Sequence, residues 1–112
     1  MAALTKNVAG PAGLRVDTLF VAASAGGDTA PTGSGVELRV KNGSGSAVTV
    51  TIAFPGKYDG DQTVAGRTFS VPATTGEFTI PLRDIYKDPA TGLASITYSA
   101  TTTVTVCVVS VP

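Results

Sequence analysis

The sequence predicts an all-β fold, an antiparallel β-sandwich or small barrel of about seven strands. Threonine and serine are abundant while leucine and glutamate are scarce, which is a composition typical of strands. Short stretches of alternating apolar and polar residues recur along the chain. Turn-forming glycine, proline and asparagine separate these stretches. The 112 residues are enough for one domain with one core.

The clearest strands are predicted over 36–41 and 47–54. In VELRVK, apolar positions alternate with charged ones, so we expect one face of this strand in a core and the other in water. The turn residues NGSGS follow at 42–46. AVTVTIAF then alternates valine or isoleucine with threonine until Pro55 and Gly56 end the pattern. This pattern indicates two strands joined by a hairpin-type loop.

The rest of the chain divides into further strands, one helical turn, one arm and one long loop. Strands are predicted over 14–22, 67–71, 77–80, 94–99 and 103–111. A single helical turn is compatible with 81–92 before Pro89. Residues 1–13 lack alternation and contain glycine and proline, which predicts a flexible N-terminal arm before a domain spanning 14–112. The small residues of 23–34 predict a long loop.

The C-terminal stretch SITYSATTTVTVCVVSV, residues 95–111, contains no charge, glycine or proline. A strand of this kind aggregates when it is left exposed, so something must cover it. Val104, Val106 and Val108 share one face, and Cys107, Val109 and Val111 share the other. Both burial within the chain and contact with a partner explain the apolar second face. The candidate interface residues are Val109 and Val111, together with Leu4 and Val8 in the arm.

The charge and cysteine content indicate which partners the chain can bind and in which compartment it folds. Charged residues make up 14% of the chain and the net charge is +0, so we expect neither nucleic acid nor a membrane as a partner. The sequence shows no signal-peptide pattern and no apolar run that would span a bilayer. The single cysteine, Cys107, excludes a disulfide within the chain, which favours folding in a reducing cytoplasm.

The residues that usually carry catalysis are few. The chain has no histidine, which removes the most common general base and most zinc sites, and its glutamates are Glu37 and Glu77. We therefore expect no enzyme activity, no cofactor and no metal. Asp59 and Asp61 flank a glycine in KYDGDQ, but the other ligands of a calcium loop are missing, so a turn is predicted.

Three stretches, within residues 15–111, resemble a known family: VELRVKNGSGSAVTVTIAFPG, RTFSVPATTGEFTIPL and YKDPATGLASITYSATTTVTVCVVSV. They are similar to small head proteins of tailed bacteriophages, the capsid decoration or cement proteins. The resemblance consists of strand and turn patterning and includes no residue with a diagnostic chemical role. It therefore assigns no contact residues.

The resemblance implies a β-sandwich that assembles in the host cytoplasm onto the outside of the capsid. It implies a homotrimer that clamps neighbouring major capsid protein subunits, so the expected partners are that protein and other copies of the chain. Two alternatives stay open. One is another virion part, such as a head–tail connector, a tail tube or a fibre module. The other is an immunoglobulin-like adhesin or carbohydrate-binding module.

Overall fold

Two β-sheets form a sandwich in the computed structural model, which confirms the predicted fold class. The structure describes residues 2–111, apart from the side chains of Ala2, Lys57, Tyr58 and Thr63. Met1 of the predicted arm and Pro112 lie outside the described residues. The described strands are β1 Ala2–Ala3, β2 Lys6–Val8, β3 Val21–Ala22, β4 Asp28–Ala30, β5 Val36–Asn42, β6 Val48–Ile52, β7 Lys57–Tyr58, β8 Gln62–Thr63, β9 Arg67–Val71, β10 Gly76–Pro81, β11 Ala94–Tyr98 and β12 Val104–Ser110.

The two large sheets have different strand orders. Sheet 1 has the order β1-β4-β11-β6-β9, and sheet 2 has the order β10-β5-β12-β2 with β3 also paired to β12. β7 and β8 form a separate hairpin, and a short 3-10 helix covers Asp84–Tyr86. Most pairs are antiparallel as predicted, but β1 pairs with β4 and β2 pairs with β12 in parallel. No helix in the described part of the chain is long and apolar enough to cross a membrane.

The core lies between the sheets and is built from one face of each strand. β5 alternates buried and half-buried residues along its whole length, as the sequence VELRVK predicts. The largest fully buried side chains come from both sheets and from the segment after β10: Leu38, Ile52, Ile80, Leu82, Ile96, Val40, Val48, Val50, Val71, Val104, Val106 and Val108. The predicted strands at 36–41, 47–54, 67–71, 77–80, 94–99 and 103–111 are confirmed, with ends displaced by a few residues.

The predicted strand over 14–22 is wrong for most of its length. Only Val21–Ala22 pair, with Val106 and Thr105 of β12. Asp17 instead accepts hydrogen bonds from Arg15 at 2.8 Å, and the N–H of Leu19 donates to the carbonyl of Val16 at 3.0 Å. The backbone bond from Leu19 to Val16 closes a turn, and a chain that turns here cannot continue as an extended strand.

Two segments that were predicted without strands contribute to the sheets. Asp28–Ala30 in the predicted loop 23–34 forms β4 and pairs with β11. In the predicted flexible arm 1–13, β1 and β2 pair with sheet 1 and sheet 2 respectively. The buried side chain of Leu4 lies between these two short strands. This pairing provides hydrogen-bond partners for the backbone N–H and C=O groups on the outer edges of β4 and β12. Backbone pairing of this kind does not require alternating apolar and polar side chains in the added strand.

Candidate interaction surfaces

The apolar second face of β12 is covered within the chain. β12 is an inner strand of sheet 2, between β5 and β2. Its outward residues Cys107 and Val109 pair with Arg39 and Glu37 of β5, whose side chains form an ion pair at 2.8 Å. Leu19 lines a pocket of about 380 Å³ together with Cys107, so residues of the 14–20 turn segment lie beside this face. Neighbouring strands and this segment therefore cover the outward side of β12.

The four predicted interface residues separate into two classes. Val109 is 2% exposed and Leu4 is 8% exposed, so both are buried in the single chain. Val8 is 54% exposed and Val111 is 56% exposed. Val8 pairs with Ser110, the residue before Val111, so the two exposed valines lie at the same end of sheet 2. Only Val8 and Val111 of the four are available on the surface of the chain.

The Cys107 thiol is a weak nucleophile in this setting. Burial raises its pKa above the ordinary value, against the opposing effect of Arg39 and Lys41. The thiolate is the reactive form of cysteine, so a raised pKa leaves little of it at neutral pH. The pocket beside it is lined mainly by apolar and small residues. In this arrangement Cys107 packs as a small buried hydrophobic residue.

The outer surface of sheet 1 carries a regular array of hydroxyl groups. Two rows cross the adjacent strands β9, β6 and β11. Thr51 pairs with both Thr68 and Thr97 in one row. In the next row Thr49 pairs with Ser70, and the N–H of Thr49 donates to Oγ of Ser99 at 2.8 Å. We call this uncharged surface the hydroxyl face; its residues are Thr49, Thr51, Thr68, Ser70, Thr97 and Ser99.

The outer surface of sheet 2 is charged by comparison. Glu37, Arg39 and Lys41 project from β5, and Glu77 projects from β10 opposite Lys41. The ammonium group of Lys41 also lies 4.3 Å from the centre of the Phe20 ring. Burying charges costs far more free energy than burying hydroxyl groups that find new hydrogen bonds. The hydroxyl face is therefore the cheaper of the two sheet surfaces to cover.

The aspartates singled out in the sequence, Asp59 and Asp61, lie in a turn, and two further aspartates, Asp84 and Asp88, accept hydrogen bonds. Asp59 and Asp61 are exposed in the loop between β7 and β8, where Asp59 has a φ of 55° and Gly60 a φ of 79°. Asp84 accepts a hydrogen bond from the Thr32 hydroxyl at 2.8 Å, and Asp88 accepts one from the Ala90 N–H at 2.9 Å. No group of three or more possible metal-binding side chains occurs among the described residues.

A buried carboxylate is the feature that the sequence prediction missed. Asp28 of β4 is fully buried, and it accepts a hydrogen bond from the Tyr98 hydroxyl at 2.7 Å. The N–H of Ser24 also donates to it at 3.4 Å. Asp28 lies between glycines and small residues, a setting in which an aspartate predicts a turn. A tyrosine at the end of a distant strand is the only sequence signal for this pairing, and it does not specify the partner.

Replacing Tyr98 with phenylalanine is expected to lower the free energy of unfolding by about 1–3 kcal/mol at neutral pH. The buried Asp28 carboxylate would lose its hydroxyl donor while staying in the core. Tyr86→Phe is the control, because the Tyr86 hydroxyl hydrogen-bonds to no other described residue and its loss should cost little. Denaturant titration of the wild type and both variants measures the two differences.

The same pair gives a pH dependence. Burial, followed by the hydrogen bond to Asp28 and its negative charge, raises the pKa of Tyr98. The folded state thus holds the tyrosine proton more tightly than the unfolded state, in which tyrosine titrates near about 10. We expect the stability difference between wild type and Tyr98→Phe to be constant from neutral pH to about pH 10 and to shrink above it. A difference that grows on this alkaline side would contradict the assignment.

Comparisons of the chain with protein-family models, with curated proteins and with solved structures find no match.

Proposed function

We propose that this protein is a structural component of a tailed-bacteriophage head. In this proposal it binds the outside of the capsid as a homotrimer and bridges neighbouring major capsid protein subunits. The sequence resemblance described above and the β-sandwich support the proposal. The observation that carries it is the hydroxyl face, an uncharged surface across three adjacent strands of sheet 1.

The charge distribution favours the hydroxyl face as the surface that meets the shell. The centre of a stable protein interface is depleted in charged residues, and sheet 2 presents four of them. The hydroxyl groups of threonine and serine can donate and accept, so each can replace its bound water with a partner group. The exposed Val8 and Val111 lie at one end of sheet 2 on opposite faces, so each offers a separate apolar contact for association between copies.

Stabilisation of a shell follows from binding alone and needs no chemical step. A protein that binds only the assembled lattice stabilises it by RT ln(1 + [L]/Kd) at each site, about 2.7 kcal/mol at a concentration of 100 Kd. The shell repeats the same site many times, so modest binding at each one adds up over the particle.

The test mixes the purified chain with undecorated capsids and measures co-sedimentation and capsid survival on heating. We expect saturable binding and survival at a higher temperature than that of bare capsids. Absence of both would overturn the proposal. Binding of glycans instead of capsids would favour the carbohydrate-binding module, and binding only to tail or connector assemblies would favour another virion part.

A pair of matched variants tests which sheet faces the shell. Thr49→Lys places a charge within the hydroxyl face, and Thr79→Lys places the same charge on the exposed surface of sheet 2. We expect Thr49→Lys to weaken capsid binding at least about tenfold, which corresponds to about 1.4 kcal/mol. Thr79→Lys should bind like the wild type. If Thr79→Lys weakened capsid binding and Thr49→Lys did not, the contact with the shell would lie on sheet 2.

A further inference from the structure

The two sides of the sandwich differ in how they are closed. On one side, residues 2–8 cross from sheet 1, where β1 pairs with β4, to sheet 2, where β2 pairs with β12. On the other side, β9 ends sheet 1 and β10 ends sheet 2, and the short segment 72–75 joins them. The rings of Phe69 and Phe78 lie 5.7 Å apart there, and both are half-buried. On this second side two strand edges therefore lie next to a pair of half-buried aromatic rings that pack against the core.

The two edges on this second side are protected to different degrees. β10 carries Glu77 and ends at Pro81, and charge and proline are common devices against pairing at a sheet edge. β9 carries a charge only at its first residue, Arg67, and contains no proline. The four residues from Thr68 to Val71 are uncharged. β9 is therefore the edge that lacks a device against strand addition.

The direction of the backbone groups shows what the β9 edge offers. Thr49 exchanges hydrogen bonds with Ser99 on the β11 side, at 2.9 Å for the N–H of Ser99 and the carbonyl of Thr49. Since bonding directions alternate along a strand, Val48, Val50 and Ile52 bond towards β9, where they pair with Val71, Phe69 and Arg67. The N–H and C=O groups of Thr68 and Ser70 then point away from the sheet, and no described residue hydrogen-bonds to them.

We propose that β9 pairs antiparallel with β9 of a second copy of this chain, about a two-fold axis at Phe69. In this register Thr68 faces Ser70 of the second copy, Ser70 faces Thr68, and Arg67 faces Val71. All four outward groups on each strand find partners, which gives four main-chain hydrogen bonds. The half-buried Phe69 rings of the two copies come together on the inner side, and each covers part of the other's exposed surface.

Charge and symmetry favour a second copy as the occupant. The two Arg67 residues lie at opposite ends of the paired strands, about 14 Å apart, which exceeds the screening length at physiological salt. The net charge of the chain is +0, so two copies do not repel each other overall. A two-fold axis in an antiparallel pair is perpendicular to the sheet. Both copies therefore turn their hydroxyl faces to the same side and form one continuous uncharged surface.

This contact goes beyond the proposed function and does not depend on it. The homotrimer implied by the sequence resemblance needs a three-fold contact, whereas β9 pairing is two-fold and joins copies from different trimers. The purified chain alone suffices to test it. If β9 pairing were not found, the proposed capsid binding would be unaffected, because a separate experiment tests it.

The test is disulfide formation between two variants, Thr68→Cys and Ser70→Cys. Both residues are exposed, so neither change disturbs the core. In the proposed register, position 68 of one copy and position 70 of the other have Cα atoms about 5.5 Å apart, within the range of a disulfide. Positions 68 and 68, or 70 and 70, lie about 8 Å apart, beyond that range. We expect a linked dimer in the mixture of the two variants and little in either variant alone.

Thr51→Cys is the matched control, since Thr51 pairs with Thr68 on the same face but lies one strand inside the edge. At about 1 mM protein under mild oxidation, the 68–70 link should form about tenfold faster than any link to position 51. Peptide mapping separates these links from any that involve the buried Cys107. The proposal would be overturned if the control linked equally fast, if one variant alone linked as fast as the mixture, or if no 68–70 link formed.

Discussion

Val109→Asp is expected to unfold the protein, whereas Val111→Asp is expected to leave it folded. Val109 is 2% exposed and Val111 is 56% exposed, although the two lie two residues apart on the same face of the terminal segment. A buried carboxylate without a partner costs several kcal/mol, which is comparable to the whole stability of a small domain at about 5–15 kcal/mol. The exposed carboxylate at position 111 would remain in water.

Circular dichroism and size-exclusion chromatography of the two variants measure this difference. We expect Val109→Asp to lose its strand signal and to elute as an expanded or aggregated species, and Val111→Asp to retain the wild-type spectrum. A Val109→Asp variant that keeps its strand signal but changes its oligomeric state would contradict burial within the chain. It would instead identify this face of β12 as a contact between copies.

Gly76→Ala is expected to lower the free energy of unfolding by about 3 kcal/mol or more, which is large for a single methyl group. A Cβ atom at Gly76 would overlap the carbonyl oxygen, carbonyl carbon and nitrogen of Pro72. These are backbone atoms of the segment that joins β9 to β10, so no side-chain rotation relieves the contact. The segment also contains Thr74 at a φ of 70°, a conformation that a β-branched residue rarely adopts.

Gly45→Ala is the control for this prediction. A Cβ atom at Gly45 meets nothing within 4 Å, and the residue has no positive φ. We expect its effect on stability to stay within about 0.5 kcal/mol. Denaturant titration of both variants gives the comparison, and equal losses in the two would mean that the 72–75 segment readjusts to accept a methyl group.

The strands that the sequence predicts well are those with one buried face. In VELRVK and AVTVTI the alternation reports directly which residues enter the core, and the structure confirms both. The stretch 14–22 also alternates, but its backbone turns between Val16 and Leu19, and only its last two residues pair in a sheet. Alternation does not report such a local turn.

Segments placed by distant partners could not be predicted in this way. β4 is three residues long and contains a buried aspartate, and its position depends on Tyr98 and on pairing with β11. β1 and β2 pair in parallel with strands far along the chain, through backbone groups that every residue carries. Nothing in the composition of residues 2–8 distinguishes such pairing from a free arm.

The candidate surfaces were partly visible in the sequence. Outward threonines of single strands follow from alternation, but the hydroxyl face exists only because β9, β6 and β11 are neighbours in sheet 1. The apolar residues on both faces of β12 predict that both faces are covered, but they do not show whether this chain or a partner covers the second face. The β9 edge was hidden for the same reason, because strand order decides which strand has an unpaired side.

In the proposed function this chain is part of a phage virion, and a density map of that intact virion would test the proposal most directly. We predict a two-layered β-sandwich on the outer surface of the shell, with sheet 1 turned towards the capsid subunits and each trimer touching more than one of them. A head whose outer surface lacks this density, or a sandwich found only in the tail, would contradict it.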